Sequence, residues 1–461
     1  MEAVPPGKRE RNMKVAKFGG TSLADAGQIL KVLEIVRADP DRRIIVVSAP
    51  GKRSKDDTKV TDLLIACAKA ALERGEAEAE LALVVHRFAG IGRELDLPSA
   101  LLTEIEQDLR GRLSSDRSHK GLFTDAVKAA GEDYSARFAA AAFTRKGVPA
   151  AYACPREAGM VLSDEPGNAQ VLPESYARLA ALRGQPGVTI FPGFFGYTKA
   201  GRIVTFPRGG SDITGAILAA AVKADVYENF TDVDSVYSAD PRIVPDARPI
   251  ELLTYREMRE LAYSGFGVFH DEAILPAVHA NIPINIRNTN RPSAPGTMVV
   301  PERPAHTGGV VGISSSDGFC TLFLSKYLMN REIGFGRRLL QILEEEGLSY
   351  EHAPSGIDNT SVILRDHQFT PEKERHVVGR IRKELAADDV EVERGLALLM
   401  VVGEGMSHTV GLAARATRAL AEAAVNIEMM NQGSSEISMM FGVKADDRKR
   451  AVKALYRAFF E

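Results

Sequence analysis

The sequence predicts an α/β protein: a three-layer α/β sandwich with a mostly parallel sheet, followed by two ferredoxin-like βαββαβ modules. Three observations predict it. Short β-branched runs alternate with helical patterns across glycine turns in the N-terminal part, residues 60–146 form an Ala-, Leu-, Glu- and Arg-rich helical stretch, and the last third contains an internal repeat.

The first element is an apolar strand from Lys14 to Lys17-Phe18. It is followed by the turn Gly19-Gly20-Thr21-Ser22, a helical pattern from about Ala24 to Ala38, and a β-branched run from Arg43 to Val47 that ends at Ser48-Ala49-Pro50-Gly51. Helical periodicity over 60–146 places a helical layer on that sheet. The α/β pattern resumes near Pro149 with strands at Val188–Phe191 and Gly201–Phe206, a helix over Ser211–Lys223 and a strand over Asp225–Phe230. Asn290-Arg291-Pro292-Ser293-Ala294-Pro295-Gly296, with Pro301 and Pro304, reads as the far boundary. Beyond it, Gly336–Gly356 aligns without gaps on Ala413–Gly433, pairing Leu343 with Leu420 and Glu351 with Glu428. The expected organisation is a disordered leader over 1–12 (with Met13 an alternative start), a catalytic domain over 13–300, a linker over 301–308, and modules over 309–388 and 389–461 between which strands can be exchanged. The modules read either as regulatory or as plain stabilising and dimerising units.

Composition narrows the function. The 461 residues are 45% hydrophobic and 26% charged, and 58 basic against 61 acidic side chains give no field that calls for nucleic acid or an anionic membrane. Cys67, Cys154 and Cys320 lie too far apart for a CxxC pair or a zinc cluster, and read as reduced thiols of a cytoplasmic protein. The first residues lack the apolar core of a secretory signal, and no apolar run reaches the roughly 18 residues of a membrane span.

Two glycine pairs follow strands and precede helices: Lys17-Phe18-Gly19-Gly20-Thr21-Ser22 and Arg208-Gly209-Gly210-Ser211-Asp212. Backbone N–H groups turned to one point, a helix N-terminus and a neighbouring cation together favour a phosphate. Singly, each pair is better explained by turn geometry; both in one domain, each with a basic residue and hydroxyls, shift the balance towards a phosphate. There is no GxxxxGK[ST], and the GxG sequences at Gly265, Gly334 and Gly403 lack a third glycine in register, which disfavours Walker and dinucleotide-binding readings. A third cluster, Thr231–Arg242, places acidic, hydroxyl and aromatic groups at a strand's carboxyl end, where they suit a nucleotide or a solvated turn.

Five motifs then carry a specific resemblance. KFGGTS (Lys17–Ser22), VVSAPGK (Val46–Lys52), RGGSD (Arg208–Asp212), TDVDSVYSADPR (Thr231–Arg242) and NQGSSEIS (Asn431–Ser438) resemble the successive signatures of aspartate kinases in their usual order, over about residues 13–461. The repeat is similar to that family's paired ACT domains. The resemblance implies an amino-acid-kinase-like fold and ATP-dependent phosphorylation of the side-chain carboxylate of L-aspartate to 4-phospho-L-aspartate. That is the first step towards lysine, threonine and methionine, with feedback by lysine, threonine or both. It implies ATP with Mg2+, the metal held by no protein residue directly. Lys17 would contact the transferring phosphoryl and Asp212 orient it. Ser48, Thr61, Glu132 and Arg208 would hold the amino acid, Glu132 at its ammonium and Arg208 at its α-carboxylate. ATP would lie against Lys17, Gly19, Gly20, Thr21, Ser22, Gly209, Gly210, Ser211, Thr231, Asp232, Tyr237 and Arg242. An effector would meet Met329, Phe335, Ser349, Ser355, Asn426 and Gln432. The exposed edges of βαββαβ modules also predict a homodimer or dimer of dimers.

One departure stands out. The common family pattern GAKVLHP reads Gly265-Phe266-Gly267-Val268-Phe269-His270-Asp271 here, so Gly267 replaces a lysine near the nucleotide, with Arg287 the candidate substitute. Two rival functions remain at this point: a related kinase of glutamate, N-acetylglutamate or UMP, and a catalytically silent amino-acid sensor. The chemistry itself asks for no general base, because an aspartate carboxylate of reference pKa about 3.9 is already an anion. It asks for in-line positioning and charge stabilisation.

Overall fold

The computed structural model describes residues 12–263, 271–303, 309–407, 409–433 and 437–461. Most of the expected leader, the Gly265–His270 segment, most of the linker and Ser434–Glu436 of the last motif lie outside them. Contacts divide the described residues into two compact units, the first comprising 12–236, 249–255 and 271–303, the second 237–248, 256–263 and the residues from 309 onward.

The first unit opens with β1 (Lys14–Phe18), then α1 (Ala26–Arg37), whose first turn is capped by Asp25 accepting from the Gln28 N–H at 2.9 Å, and β2 (Arg42–Val47). The predicted helical layer is five helices: α2 (Val60–Arg74), α3 (Glu78–Glu94), α4 (Ser99–Leu113), α5 (Lys120–Lys128) and α6 (Ala130–Arg145). Next come β3 (Ala150–Tyr152), short α7 (Pro155–Ala158) and α8 (Glu174–Leu179), β4 (Val188–Pro192) and a hairpin of β5 (Phe195–Tyr197) and β6 (Ile203–Thr205). Helix α9 (Gly210–Val222) is apolar nearly all round and therefore buried. After β7 (Val226–Thr231) the chain forms β8 (Leu252–Thr254), α10 (Tyr255–Tyr263), α11 (Leu275–His279), β9 (Ile284–Asn288) and β10 (Thr297–Val300).

The main sheet runs β3-β4-β2-β1-β7-β9-β10-β8 and is parallel except for the β9–β10 pair. From β1 the chain winds first towards β2 and later towards β7, so the carboxyl end of β1 is a point where strand order reverses, the usual place for a ligand crevice in an open α/β sheet. Phe18 and Phe230 stack there with centroids 4.7 Å apart, in the core that α1–α6 cover.

The second unit contains one six-stranded antiparallel sheet, order β12-β13-β11-β14-β16-β15. Its strands are β11 (Gly312–Ser325), β12 (Tyr350–His352), β13 (Asn359–Arg365), β14 (Asp389–Val402), β15 (Met429–Asn431) and β16 (Ser438–Lys444). Helices α12 (Phe335–Glu345) and α14 (Leu412–Glu422) are the repeat's equivalent elements, both 11 residues long and each preceded by a left-handed glycine, Gly334 or Gly411. Helices α13 (Pro371–Glu384) and α15 (Arg448–Phe460) complete the modules. The 14-residue strands β11 and β14 serve both: Phe319–Ser325 pairs with β13, whereas Gly312–Ser316 pairs with the half of β14 that lies against β16.

Within the expected 13–300 domain, contacts group 237–248 and 256–263 with the second unit. Ala239, Ile243, Val244 and Ala247 are buried in the second unit's core beside Leu455 and Tyr456. The Ile313 N–H donates to the Ser238 carbonyl at 2.8 Å, and the Tyr456 hydroxyl accepts from the Arg248 N–H and donates to the Asp246 carbonyl, both at 3.2 Å. Four apolar side chains in a segment that reads as a turn account for the transfer.

Candidate functional site

At the carboxyl end of β1 a cavity of about 420 Å³ gathers most of the residues expected at the chemical centre. Lys17, at 8% exposure, pairs through Nζ with Asp212 Oδ1 at 2.6 Å. Asn229 lies opposite Lys17 in the β1–β7 register and donates to the same oxygen at 2.6 Å, while the Tyr227 hydroxyl donates to the Asp212 carbonyl at 3.1 Å. Asp212 occupies the first turn of α9, and Gly209, Gly210 and Ser211 line the cavity beside it. Gly209 has φ +83°, the left-handed region glycine enters without penalty. The first glycine pair is held by close packing instead. The Gly51 N–H donates to the Gly20 carbonyl at 2.8 Å, and a Cβ at Gly51 would stand 2.6 Å from the Gly20 carbonyl carbon. A Cβ at Gly19 would lie 3.7 Å from Lys17 Nζ. Thr21 is exposed, and the Ser22 hydroxyl is buried against that of Thr289 at 2.7 Å, so neither side chain lines the cavity.

Ser48, Thr61, Glu132 and Arg208 line the same cavity. Glu132 on α6 is buried, and burial pushes its carboxyl up to about 8, against the lowering effect of the Ala49 N–H and of Lys128. Its Oε2 has no hydrogen-bond partner. The adjacent Asp133 is fully engaged by Arg112 at 2.7 Å, Tyr152 at 2.6 Å and Arg137, so two neighbouring acidic side chains differ, one used by the fold and one with a buried oxygen left unpartnered. Arg208 is exposed at the rim. Among the described residues no cluster of three His, Cys, Asp or Glu forms a metal nest.

The other expected positions are dispersed. Thr231 ends β7, Asp232 is exposed, and neither lines this cavity. Tyr237 packs against the second unit's core, and Arg242 is exposed and pairs with Asp240 at 2.8 Å. Arg287 is not a spare cation for the nucleotide: it pairs with buried Glu228 at 2.9 Å, which also takes Arg42 at 2.6 Å, and it lies over the Phe230 ring. Gly267, which it was to replace, lies outside the described residues. Of the effector set, Met329 and Phe335 are core side chains, packed with Leu339 and Ile342, so their side chains do not line an open site. The Ser349 hydroxyl bonds Gln368 at 2.9 Å, Ser355 bridges to Thr360, and the Asn426 amide bonds Glu428 at 2.9 Å. Ser349 and Ser355 flank β12, and Gln432 follows β15, at opposite edges of the sheet, so one chain does not bring the six together.

Several cavity residues escaped the sequence reading. Lys59, Asp62, Lys128 and Phe194 line it, and Asn229 and Tyr227 support Asp212 from β7. Lys128 had a signal, a basic residue four before Glu132 in a helical pattern. Phe194 adopts φ +74° with its N–H on Thr214 Oγ1 at 3.0 Å, a backbone state that no local pattern announces. Cys67 and Cys320 are buried, and burial raises both thiols to about 12, which suits structural rather than reactive roles. No helix among the described residues is long and apolar enough to cross a membrane.

Comparison with known proteins agrees with this geometry. Residues 12–288 match the amino acid kinase family and residues 399–459 the ACT domain. Aspartokinase 3 of Bacillus subtilis strain 168 is 58% identical over 448 residues, covering 97% of this chain and 99% of its own. The crystal structure of Clostridium acetobutylicum aspartate kinase superposes with a TM-score of 0.84 at 35% identity, covering 97% of this chain and 100% of that one. Escherichia coli aspartokinase III, solved with aspartate and ADP, superposes with a TM-score of 0.78 at 27% identity, covering 98% and 100%. The same enzyme with lysine and aspartate gives 0.78 at 28%, covering 97% and 100%. The chain belongs to the amino acid kinase family and is, within it, an aspartate kinase with C-terminal ACT domains.

Proposed function

We propose that the enzyme joins the γ-phosphoryl of ATP to the side-chain carboxylate of L-aspartate, giving 4-phospho-L-aspartate and ADP, and that lysine, threonine or both regulate it through the C-terminal modules. The observation that carries this reading is one cavity lined by both the Lys17–Asp212 pair and Glu132, whose Oε2 is unpartnered. The amino acid's ammonium meets Glu132, its α-carboxylate meets Arg208, and Ser48 and Thr61 complete the pocket. Its β-carboxylate is thereby directed at the phosphoryl beside Lys17. An oxygen of that carboxylate forms the new O–P bond as the bond from the γ-phosphorus to the bridging oxygen breaks, and no proton moves. Lys17 stabilises the charge that spreads over the phosphoryl, and Asp212, fixed by Asn229, holds the lysine in place. Magnesium would enter bound to ATP and offset part of the phosphate charge, and no residue of this chain is assigned to hold it directly. Thr231 and Asp232, at the carboxyl end of β7, are assigned to the nucleotide.

The complex of E. coli aspartokinase III with aspartate and ADP supports the acceptor, and its complex with lysine and aspartate supports lysine as effector. In the modules, Ile333 and Val410 occupy the same position of the repeat and are both 99% exposed, and β12 and β15 are open edges, features that favour pairing with a second chain. A cytoplasmic homodimer is the assembly we assign.

Hydroxamate trapping of acyl phosphate, with ATP and magnesium, on aspartate, glutamate and N-acetylglutamate tests the reading. Product from aspartate alone is expected, with a fall in rate on adding lysine or threonine. Absence of product from aspartate overturns it.

A further inference from the structure

Lys128 ends α5, and the following residue, Ala129, keeps helical dihedrals into α6, so Asp125, Lys128 and Glu132 lie along one helical face at spacings of three and four. Asp125 is 2% exposed and accepts from the N–H groups of Gly167 at 2.7 Å and Thr205 at 2.8 Å through Oδ2, leaving Oδ1 for Lys128 at 2.9 Å. Lys128 Nζ also donates to Thr205 Oγ1 at 3.2 Å and sits 5.6 Å from the Phe194 ring centroid. An ammonium has three N–H donors; here one is given to Thr205 and the charge is paired with Asp125, which leaves donor capacity over. That capacity belongs to a cation that lines the same cavity as Glu132 and Arg208.

A cation one turn from the carboxylate that receives the substrate's ammonium is placed for the α-carboxylate, because the two groups share one carbon. We propose that Lys128 is a specificity-determining residue that shares the amino acid's α-carboxylate with Arg208, positioned for this by Asp125. The inference rests on the acceptor reading of the cavity given above. The division of labour follows from placement: Arg208 is exposed at the rim, whereas the Lys128 side chain is 16% exposed, so the lysine supplies the drier, less screened half of a two-cation clamp. A substrate without a free α-carboxylate leaves Arg208 without an anionic partner and the remaining Lys128 donor capacity unused, and the clamp disfavours it.

The test is steady-state kinetics of Lys128→Met, Lys128→Arg and Asp125→Asn on L-aspartate and on its α-amide, with Arg208→Ala alongside. Lys128→Met is expected to raise the KM for aspartate at least tenfold with the KM for ATP within twofold. Lys128→Arg should recover much of the loss, and Asp125→Asn, which loosens the lysine without removing it, should raise the aspartate KM by a smaller factor. The preference for aspartate over the α-amide should shrink in Lys128→Met. If wild-type enzyme forms no acyl phosphate from aspartate, the acceptor reading itself fails. If the wild type works and Arg208→Ala raises the aspartate KM, but Lys128→Met leaves it within twofold or leaves the α-amide preference intact, the role given to Lys128 is wrong. A Lys128→Met protein that does not fold leaves the decision to Asp125→Asn, and an unchanged aspartate KM in that variant overturns the proposal.

Discussion

The two sets of cavity residues proposed above, a phosphoryl wall of Lys17 and Asp212 and an acceptor wall of Glu132 and Arg208, are built on opposite electrostatic plans. On the phosphoryl wall every charge already has its partner: Lys17 holds Asp212, and Asn229 and Tyr227 hold Asp212 in turn. On the acceptor wall the groups are left incomplete, with Glu132 Oε2 unpartnered and Arg208 exposed. The difference follows the chemistry. A phosphoryl in transfer carries spread charge that is best met by groups fixed beforehand, since reorganising them would add to the barrier. A zwitterionic acceptor brings its own charges, and a site that leaves matching groups unpartnered selects for it, because a ligand lacking the ammonium leaves buried Glu132 unpaired.

The largest expected effect tests the preset wall. Lys17→Ala should lower kcat by roughly 100- to 1000-fold, on the order of 2.7–4 kcal/mol, if it acts as a preorganised charge-stabilising donor. Near-normal turnover would mean that the wall's charge is not what stabilises transfer. Arg208→Ala should act on the other term. Losing a charged hydrogen bond already made in the ground state costs about 1.5–3 kcal/mol, so the KM for aspartate should rise roughly 10- to 100-fold while kcat changes less. An unaltered KM removes Arg208 from the open wall.

The open state of Glu132 has a pH signature. Its carboxyl is raised from an ordinary 4.5 to about 8, first by burial. Between those values the folded protein keeps a proton that the unfolded chain has released, so stability is greatest below about 4.5 and falls as pH rises towards 8. The slope from this one site is at most about 1.4 kcal/mol per pH unit. Urea denaturation of the unliganded enzyme and of Glu132→Gln at pH 6 and 8 should show a stability difference between the two that changes with pH. A difference independent of pH would place Glu132 among the satisfied groups and blur the comparison. The smallest effect concerns the backbone that fixes the preset wall. Gly209→Ala forces a side chain into φ +83° and should cost about 1 kcal/mol of stability in the same assay, with no cost if the loop relaxes freely.

Much of this was legible in the sequence because it is local. Lys17 with its glycine pair, Asp212 with the second pair, and Glu132 in its own helix carry their signals within a few residues. What was not legible is non-local. Nothing near Asp133 announces that Arg112, Arg137 and Tyr152 consume it while Glu132 stays open. Arg287 reads as a free cation until β7 and β2 place Glu228 and Arg42 beside it. Tyr237 and Arg242 belong to a nucleotide motif in sequence order, yet the apolar residues that follow them are buried with α15. Lys128 was passed over for the same reason: its meaning depends on Asp125, Thr205 and Phe194 meeting across three elements.

The sequence by itself determined the element types, the repeat and most of the candidates that line the cavity, because helical and strand periodicity and glycine turns are properties of neighbours along the chain. Tertiary structure alone decided which charges are paired and which wait, because a charged side chain's state depends on what surrounds it in space, and the 420 Å³ cavity is enclosed by segments from Lys17 to Asp212.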